Sequence, residues 1–178
     1  MAIEYEAKVL DISPAEVADR ILALGGRHVA DRQMRRYVYD IAPGDRSRWI
    51  RLRDTGTSVT LTVKEIAHDG IDGTSETEVT VDDFDTTNAL LGQLGFSPKS
   101  YQENRRSSYE LEAAALEIDQ WPLIPPYLEI EGHSPSHVVK VAALLGYTAA
   151  QLTAENTTKV YAHYGIDLGA IADLRFGG

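Results

Sequence analysis

The sequence predicts an antiparallel α+β fold with about eight strands and three or four helices, on three observations. Short runs rich in Val, Thr, Tyr and Ile follow one another with turn signals, not helices, between them. Segments carrying a capping residue, a proline and a closing glycine mark the helices. Every strong strand also alternates, with apolar side chains on one face and charged ones on the other.

The opening "IEYEAKV" reads as a strand in which Glu4, Glu6 and Lys8 oppose Ile3, Tyr5, Ala7 and Val9. "SPAEVADRILALGG" follows with Ser13 as N-cap, Pro14 at the first helical position, Glu16 at the capping-box position and Gly25-Gly26 as the stop. Val17, Ile21 and Leu24 form its apolar stripe. "RRYVYDI", "SRWIRLRD", "SVTLTVKE" and "TSETEVTV", separated by "APGD", "DTGT" and "HDGIDG", read as a meander. A second helix lies in "VDDFDTTNALLGQLGF", with an acidic start and Gly95 near its end. Strands resume in "QENRRSSYELE", "ALEIDQWP" and "PPYLEIEGH", where Pro122, Pro125 and Pro126 confine the last link to a loop or an edge. Ser134-Pro135 opens a third helix that Gly146 closes, and the tail after it reads as one short helix and a loosely ordered end.

A chain of 178 residues suits one well-cored domain, with a strand core at about 2–132 and a helical segment at about 135–178. The sequence contains no cysteine, which excludes disulfides, thiolate metal sites and cysteine nucleophiles. Seventeen basic against 27 acidic residues give a formal net charge of −10, which repels a nucleic acid backbone and points away from nucleic acid partners. Nothing resembles a membrane span or a signal peptide, so no membrane association and a cytoplasmic location are expected. A local cluster of Lys and Arg, or a bound divalent cation, still allows a small anionic ligand.

The charged strand faces carry the functional signal. Arg51 and Arg53 oppose Ile50 and Leu52; Thr60, Thr62 and Lys64 oppose Val59, Leu61 and Val63; Glu76 and Glu78 oppose Thr77, Val79 and Val81. Glu117 and Asp119 oppose Leu116 and Ile118, and Glu129 and Glu131 oppose Leu128 and Ile130. An open sheet with one wet face also alternates. Yet Asp, Glu and Lys are depleted in strands, and repeated carboxylate pairs on one face repel unless cations sit among them. The alternative is a closed eight-stranded barrel with the charges in its lumen and the helices packed outside. There the carboxylates face Lys8, Arg51, Arg53, Lys64, Arg105 and Arg106. Carboxylates hold hard cations such as Mg²⁺ or Mn²⁺ together with phosphate oxygens, while Arg and Lys hold the phosphates.

Glu4-x-Glu6-x-Lys8 resembles the ExExK signature of the CYTH family, the triphosphate tunnel metalloenzymes that include class IV adenylyl cyclases, thiamine triphosphatases and inorganic triphosphatases. "RWIRLR", "LTVKE", "ETEV", "RRSSYEL", "LEIDQWP" and "PYLEIEG" follow in the order of that family, over about residues 2 to 132. The resemblance implies an eight-stranded antiparallel tunnel. It implies Glu4, Glu6, Glu129 and Glu131 as metal ligands, with Glu117 and Asp119 nearby, and Glu76 and Glu78 lining the tunnel. Lys8, Arg51, Arg53, Lys64 and Arg106 become phosphate ligands, with Glu4, Glu6, Lys8 and Asp119 at the reacting phosphate. Many members place a Lys just before the arginine of the sixth strand; here Arg105 adjoins Arg106, and alternation lets only one face inward unless a bulge intervenes.

The leading expectation is metal-dependent hydrolysis of a small-molecule triphosphate, with Mg²⁺ or Mn²⁺ bridging phosphate oxygens and an activated water attacking the terminal phosphorus. A class IV type of adenylyl cyclase is the alternative, using the same triphosphate clamp, and a non-catalytic polyphosphate binder is the third. Tyr37, Tyr39, Trp49 and Tyr161 are the aromatics available to stack a base, although packing is the commoner use of such rings. The five histidines show no zinc-ligand spacing. Lys159 and Tyr161 are candidates for a C-terminal plug over the tunnel mouth, and a homodimer joined through the outer wall is compatible with this reading.

Overall fold

The alternating strands do close into a barrel. The computed structural model describes residues 2–177, and in it eight strands form a ring: β1 (Ala2–Val9), β2 (Arg27–Asp40), β3 (Arg48–Asp54), β4 (Val59–Ile66), β5 (Thr74–Val81), β6 (Ser100–Leu111), β7 (Ala114–Gln120) and β8 (Tyr127–Gly132). Their order is β2-β3-β4-β5-β1-β8-β7-β6, and pairing of β2 with β6 joins the two ends. All neighbours in the ring are antiparallel. A ninth strand, β9 (Asp173–Leu174), adds in parallel to the start of β6, where Tyr101 and Gln102 lie beyond the reach of β7. The tail is therefore tied down, not loose as the sequence suggested. Its apolar Leu174 is 2% exposed, which explains the docking.

Strand β2 is far longer than its recognisable core "RRYVYD", because its first half pairs with β6 in a single register broken only by a bulge between His28 and Ala30. The β6–β7 hairpin turns on Glu112 and Ala113, both left-handed at φ 51° and 60°. This two-residue turn has neither Gly nor Asn, the residues that normally announce it.

Four α-helices cover the outside: α1 (Pro14–Ala23), α2 (Phe84–Gln93), α3 (Pro135–Leu144) and α4 (Thr157–His163). Asp83 and Ser134 cap α2 and α3 by accepting from Thr86 N at 2.6 Å and His137 N at 3.2 Å. α1 starts on the fixed φ of Pro14 without the expected side-chain cap from Ser13. The apolar faces of β1, β7 and β8 pack on α1 and α3 through Ala7, Leu116, Leu128 and Ile130 against Ile21, Val138 and Val141, all at or near zero exposure. Each buried Leu, Ile or Val among them contributes about 1.5–3 kcal/mol. α2 covers Tyr39, Ile50 and Leu52 with Phe84 and Leu91. No helix among the described residues is long and apolar enough to cross a membrane.

Candidate active site: a charged tunnel

With the apolar faces committed to the helices, the charged faces turn into the lumen. Register sets which group meets which. Lys8 stands opposite Glu129, and Glu129 opposite Glu117; Asp119 stands opposite Arg106; Arg51 stands opposite Thr62, and Thr62 opposite Glu78. An eight-stranded barrel is just wide enough for side chains and one small ligand, so these groups pack as a dense lattice of opposite charges.

Lys8 Nζ lies 3.0 Å from Glu6 Oε1 and 3.1 Å from Glu129 Oε2, with a side chain only 3% exposed. Burial opposes its charge, but Glu6 and Glu129 outweigh burial and hold the ammonium above its ordinary range. Burial likewise disfavours the Glu129 carboxylate, yet Lys8, Arg106 and Lys64 hold it well below the usual carboxylate range. Lys64 Nζ lies 2.8 Å from Glu4 Oε2. Arg106 grips the fully buried Asp119 in a bidentate fork, Nε to Oδ1 at 2.9 Å and Nη2 to Oδ2 at 2.6 Å, and Asn104 Nδ2 donates to the same Oδ1 at 3.0 Å. Arg51 Nη2 donates to Glu78 Oε2 at 3.3 Å, and Thr62 Oγ1 donates to that oxygen at 2.6 Å.

The balance of sign differs from place to place. Glu131 is pushed up to about 7, first by burial and then by Glu129, Glu4, Glu6 and Glu76, so carboxylates are in excess around it. Around Arg53 the excess is positive: burial, then Arg51 and Arg106, bring it down to about 10. The Nε atoms of Arg51 and Arg53, and Thr60 Oγ1, are buried without hydrogen-bond partners, and so is Glu76 Oε2. Such unpaired groups are costly in a ligand-free fold and are expected where a ligand supplies the partner.

Among the described residues no three carboxylates or histidines converge closely enough to grip a cation as they stand. Lys and Arg occupy the carboxylates instead. The expected metal set divides on this point. Asp119 is saturated by Arg106 and Asn104, and Glu117 Oε2 accepts from Ser108 Oγ at 2.5 Å. Glu4, Glu6 and Glu129 are paired with Lys64, Lys8 and Arg106, while Glu131, raised by the carboxylates around it, marks the place where these four oxygen donors could take a hard cation.

Arg105 does not join the site. Strand β6 has no bulge, so alternation turns Arg105 outward, where its guanidinium lies 4.3 Å from the ring centroid of Phe176, while Arg106 faces in. Two inward cations escaped the sequence reading: Arg32, whose Nη1 donates to Ser108 Oγ at 2.9 Å, and Arg36, whose Nε donates to Gln102 Oε1 at 2.8 Å. On β2 they share a face with Met34 and Val38 and stand beside outward-facing Arg35, so no clean charged face marks them. Asn104 was missed for want of a charge.

The aromatic candidates separate as well. Tyr37 and Tyr39 belong to the outer face under α2, whereas Trp49 shares the inward face with Arg51 and Lys64 and is half-buried. Tyr161 is wholly buried, its hydroxyl donating to Pro122 O at 2.7 Å. With Trp121, Val160 and Leu168 it packs against Tyr127, which stands opposite Asp119, so α4 roofs one end of the tunnel. Lys159 lies on the solvent side of this roof, paired with Asp69 of the β4–β5 loop. That loop also closes the wall beside β1: Glu6 N donates to Ile71 O at 3.0 Å.

Comparison with known proteins bears on this geometry. The family model described as CYTH domain matches residues 2–161. Among solved structures, a conserved hypothetical protein from Pyrococcus furiosus superposes with a TM-score of 0.74 at 21% identity, covering 86% of this chain and 97% of its own. A Vibrio parahaemolyticus protein described as an adenylate cyclase candidate gives 0.74 at 13% identity, with 90% and 98% covered. A Hippeastrum protein described as an adenylyl cyclase candidate with a dominant triphosphatase activity gives 0.62 at 19% identity, with 93% and 96% covered. At such identities the likeness is one of fold. No match was found among curated proteins.

Proposed function

The chain belongs to the CYTH domain family, and on that premise we propose that it is a divalent-cation-dependent triphosphatase. Its substrate class is inorganic tripolyphosphate, thiamine triphosphate or a nucleoside triphosphate. The observation that carries this reading is the uneven charge within one tunnel, a carboxylate surplus around Glu131 and a guanidinium surplus around Arg53. A polyphosphate carrying a cation matches both.

Glu4, Glu6, Glu129 and Glu131 would hold the cation, Mg²⁺ or Mn²⁺, which when bound neutralises phosphate charge and makes water more acidic. Phosphoryl transfer asks the protein chiefly for positioning and charge, and no covalent residue is required. Arg51 and Arg53 offer guanidinium forks with unpaired Nε donors. Lys8 and Lys64 neutralise Glu6, Glu129 and Glu4 in the ligand-free fold, and would be free to meet phosphate oxygens if those carboxylates held the cation. The Arg106–Asp119 fork is a fixed strut that keeps one guanidinium edge directed at the lumen. The roof formed by α4 excludes water from one end and strengthens every charge interaction inside.

Glu4→Gln and Glu129→Gln proteins are each expected to lose more than about 100-fold in tripolyphosphate hydrolysis with Mg²⁺ or Mn²⁺. Full retention in both would overturn the assignment. One observation favours a second reading, cyclisation of ATP: Trp49 sits on the inward face beside Lys64, where a ring can meet a base. Product analysis separates the two, since orthophosphate marks a phosphatase and cyclic AMP with pyrophosphate a cyclase. Tight binding with no product over hours would indicate a binder.

A further inference from the structure

Arg36 is a cation in search of an anion. Its cross-strand neighbours are Arg53 on β3 and Gln102 on β6. Its one side-chain hydrogen bond goes to the neutral Gln102, and among the described residues it forms no ion pair with a carboxylate. Arg51, Arg106, Lys8 and Lys64 all have such partners. The guanidinium instead lies over the Trp121 ring, 4.4 Å from its centroid. Trp121 is 5% exposed, and its Nε1 donor is buried with no hydrogen-bond partner. Both residues sit beneath the roof, for Trp121 packs in one cluster with Tyr127 and Tyr161.

A fold gains nothing by leaving an Arg beside two others without a counter-charge, and an indole N–H buried against it adds a second unmet demand. An anion placed there satisfies both at once. We propose, building on the triphosphate reading above, that Arg36 and Trp121 Nε1 form a terminal subsite under the α4 roof. It takes the phosphate farthest from the Glu4–Glu131 carboxylate group and selects triphosphate over diphosphate. The surroundings agree: burial, then Arg51, bring the Arg36 guanidinium down to about 9, as expected where a polyanion is the missing partner. A pyrophosphate anchored at the carboxylate end leaves this subsite unused.

The test is calorimetric titration of the full chain with hydrolysis-resistant methylene-bridged analogues of tripolyphosphate and, separately, pyrophosphate, each with Mg²⁺, for wild type, Arg36→Gln and Trp121→Phe. Arg36→Gln is expected to weaken tripolyphosphate binding by about 10- to 100-fold, the size of one charge-assisted contact, and pyrophosphate binding by less than about threefold. Trp121→Phe keeps the ring beneath Arg36 and removes the N–H, with a smaller loss of the same selectivity. A purely structural Arg36 would lower the melting temperature on replacement; a subsite residue raises that of the ligand-free protein, because an unpaired charge has been removed. Equal losses for both anions, or no loss in either variant, would overturn the subsite while leaving the triphosphatase intact. If wild type binds neither anion, the functional reading falls and the subsite with it.

Discussion

Two glutamates on β8, two residues apart and facing the same lumen, respond to pH in opposite directions. Glu129 has its folded pKa below the ordinary 4.5, so the stability it contributes is full above that value and is lost as pH falls further. Glu131 has its folded pKa raised from 4.5 to about 7, so it destabilises the ligand-free fold above that pH and relaxes as protons bind between the two values. In chelator, the melting temperature is therefore expected to rise modestly from about pH 8 to about pH 5.5 and then to fall in acid. Glu131→Gln should abolish the rise and keep the fall, which a thermal denaturation series checks. Arg105 and Arg106 make a second contrast between neighbours. Arg105→Ala is expected to change stability by less than about 0.5 kcal/mol and turnover by less than about twofold, since its ring contact is on the exposed wall. Arg106→Ala strands a fully buried Asp119 and is expected to cost about 3–5 kcal/mol in urea denaturation. Adjacency hid this difference in the sequence, because "NRRS" places two arginines together and only the unbroken register of β6 says which one points inward.

Among the elements, the helices α2 and α3 were legible through the acidic start of the one and Ser134-Pro135 of the other, and most strands through their alternation; the Ser134 cap formed as expected, and Asp83 is the acidic residue that caps α2. The β6–β7 turn was harder to place, since Glu112 and Ala113 take left-handed conformations that neighbouring strand pairing enforces and their own preference does not. The first half of β2 was illegible for a similar reason: "RHVADRQM" becomes a strand because β6 is available to pair with it across the closure. α4 acts as a roof because Tyr161 anchors it. Tyr161→Phe leaves Pro122 O without its donor and is expected to cost about 1–2 kcal/mol, measured by urea denaturation.

For the molecule as a whole, closure is what would let a protein of net charge −10 receive the proposed polyanion. Outside, the acidic surface repels phosphate; inside, the guanidinium group of Arg36, Arg51 and Arg53 reverses the local sign. A hydrolysis-resistant methylene-bridged tripolyphosphate analogue with Mg²⁺ at about 100 times its Kd should stabilise the fold by about 2.7 kcal/mol, a rise of roughly 5–11 °C in Tm. Differential scanning fluorimetry checks this, and absence of a shift at saturating ligand would count against the tunnel as the binding site. The sequence by itself determined the antiparallel α+β class, the charged and apolar faces of nearly every strand, and most of the lumen's ionisable residues. All of these follow from the two-residue period of an extended chain. The tertiary structure alone decided that Arg106 and not Arg105 faces inward, that Arg32 and Arg36 join the lumen, and which carboxylates are already bound by arginine. Those outcomes depend on register and closure across strands far apart in sequence, which local pattern does not encode.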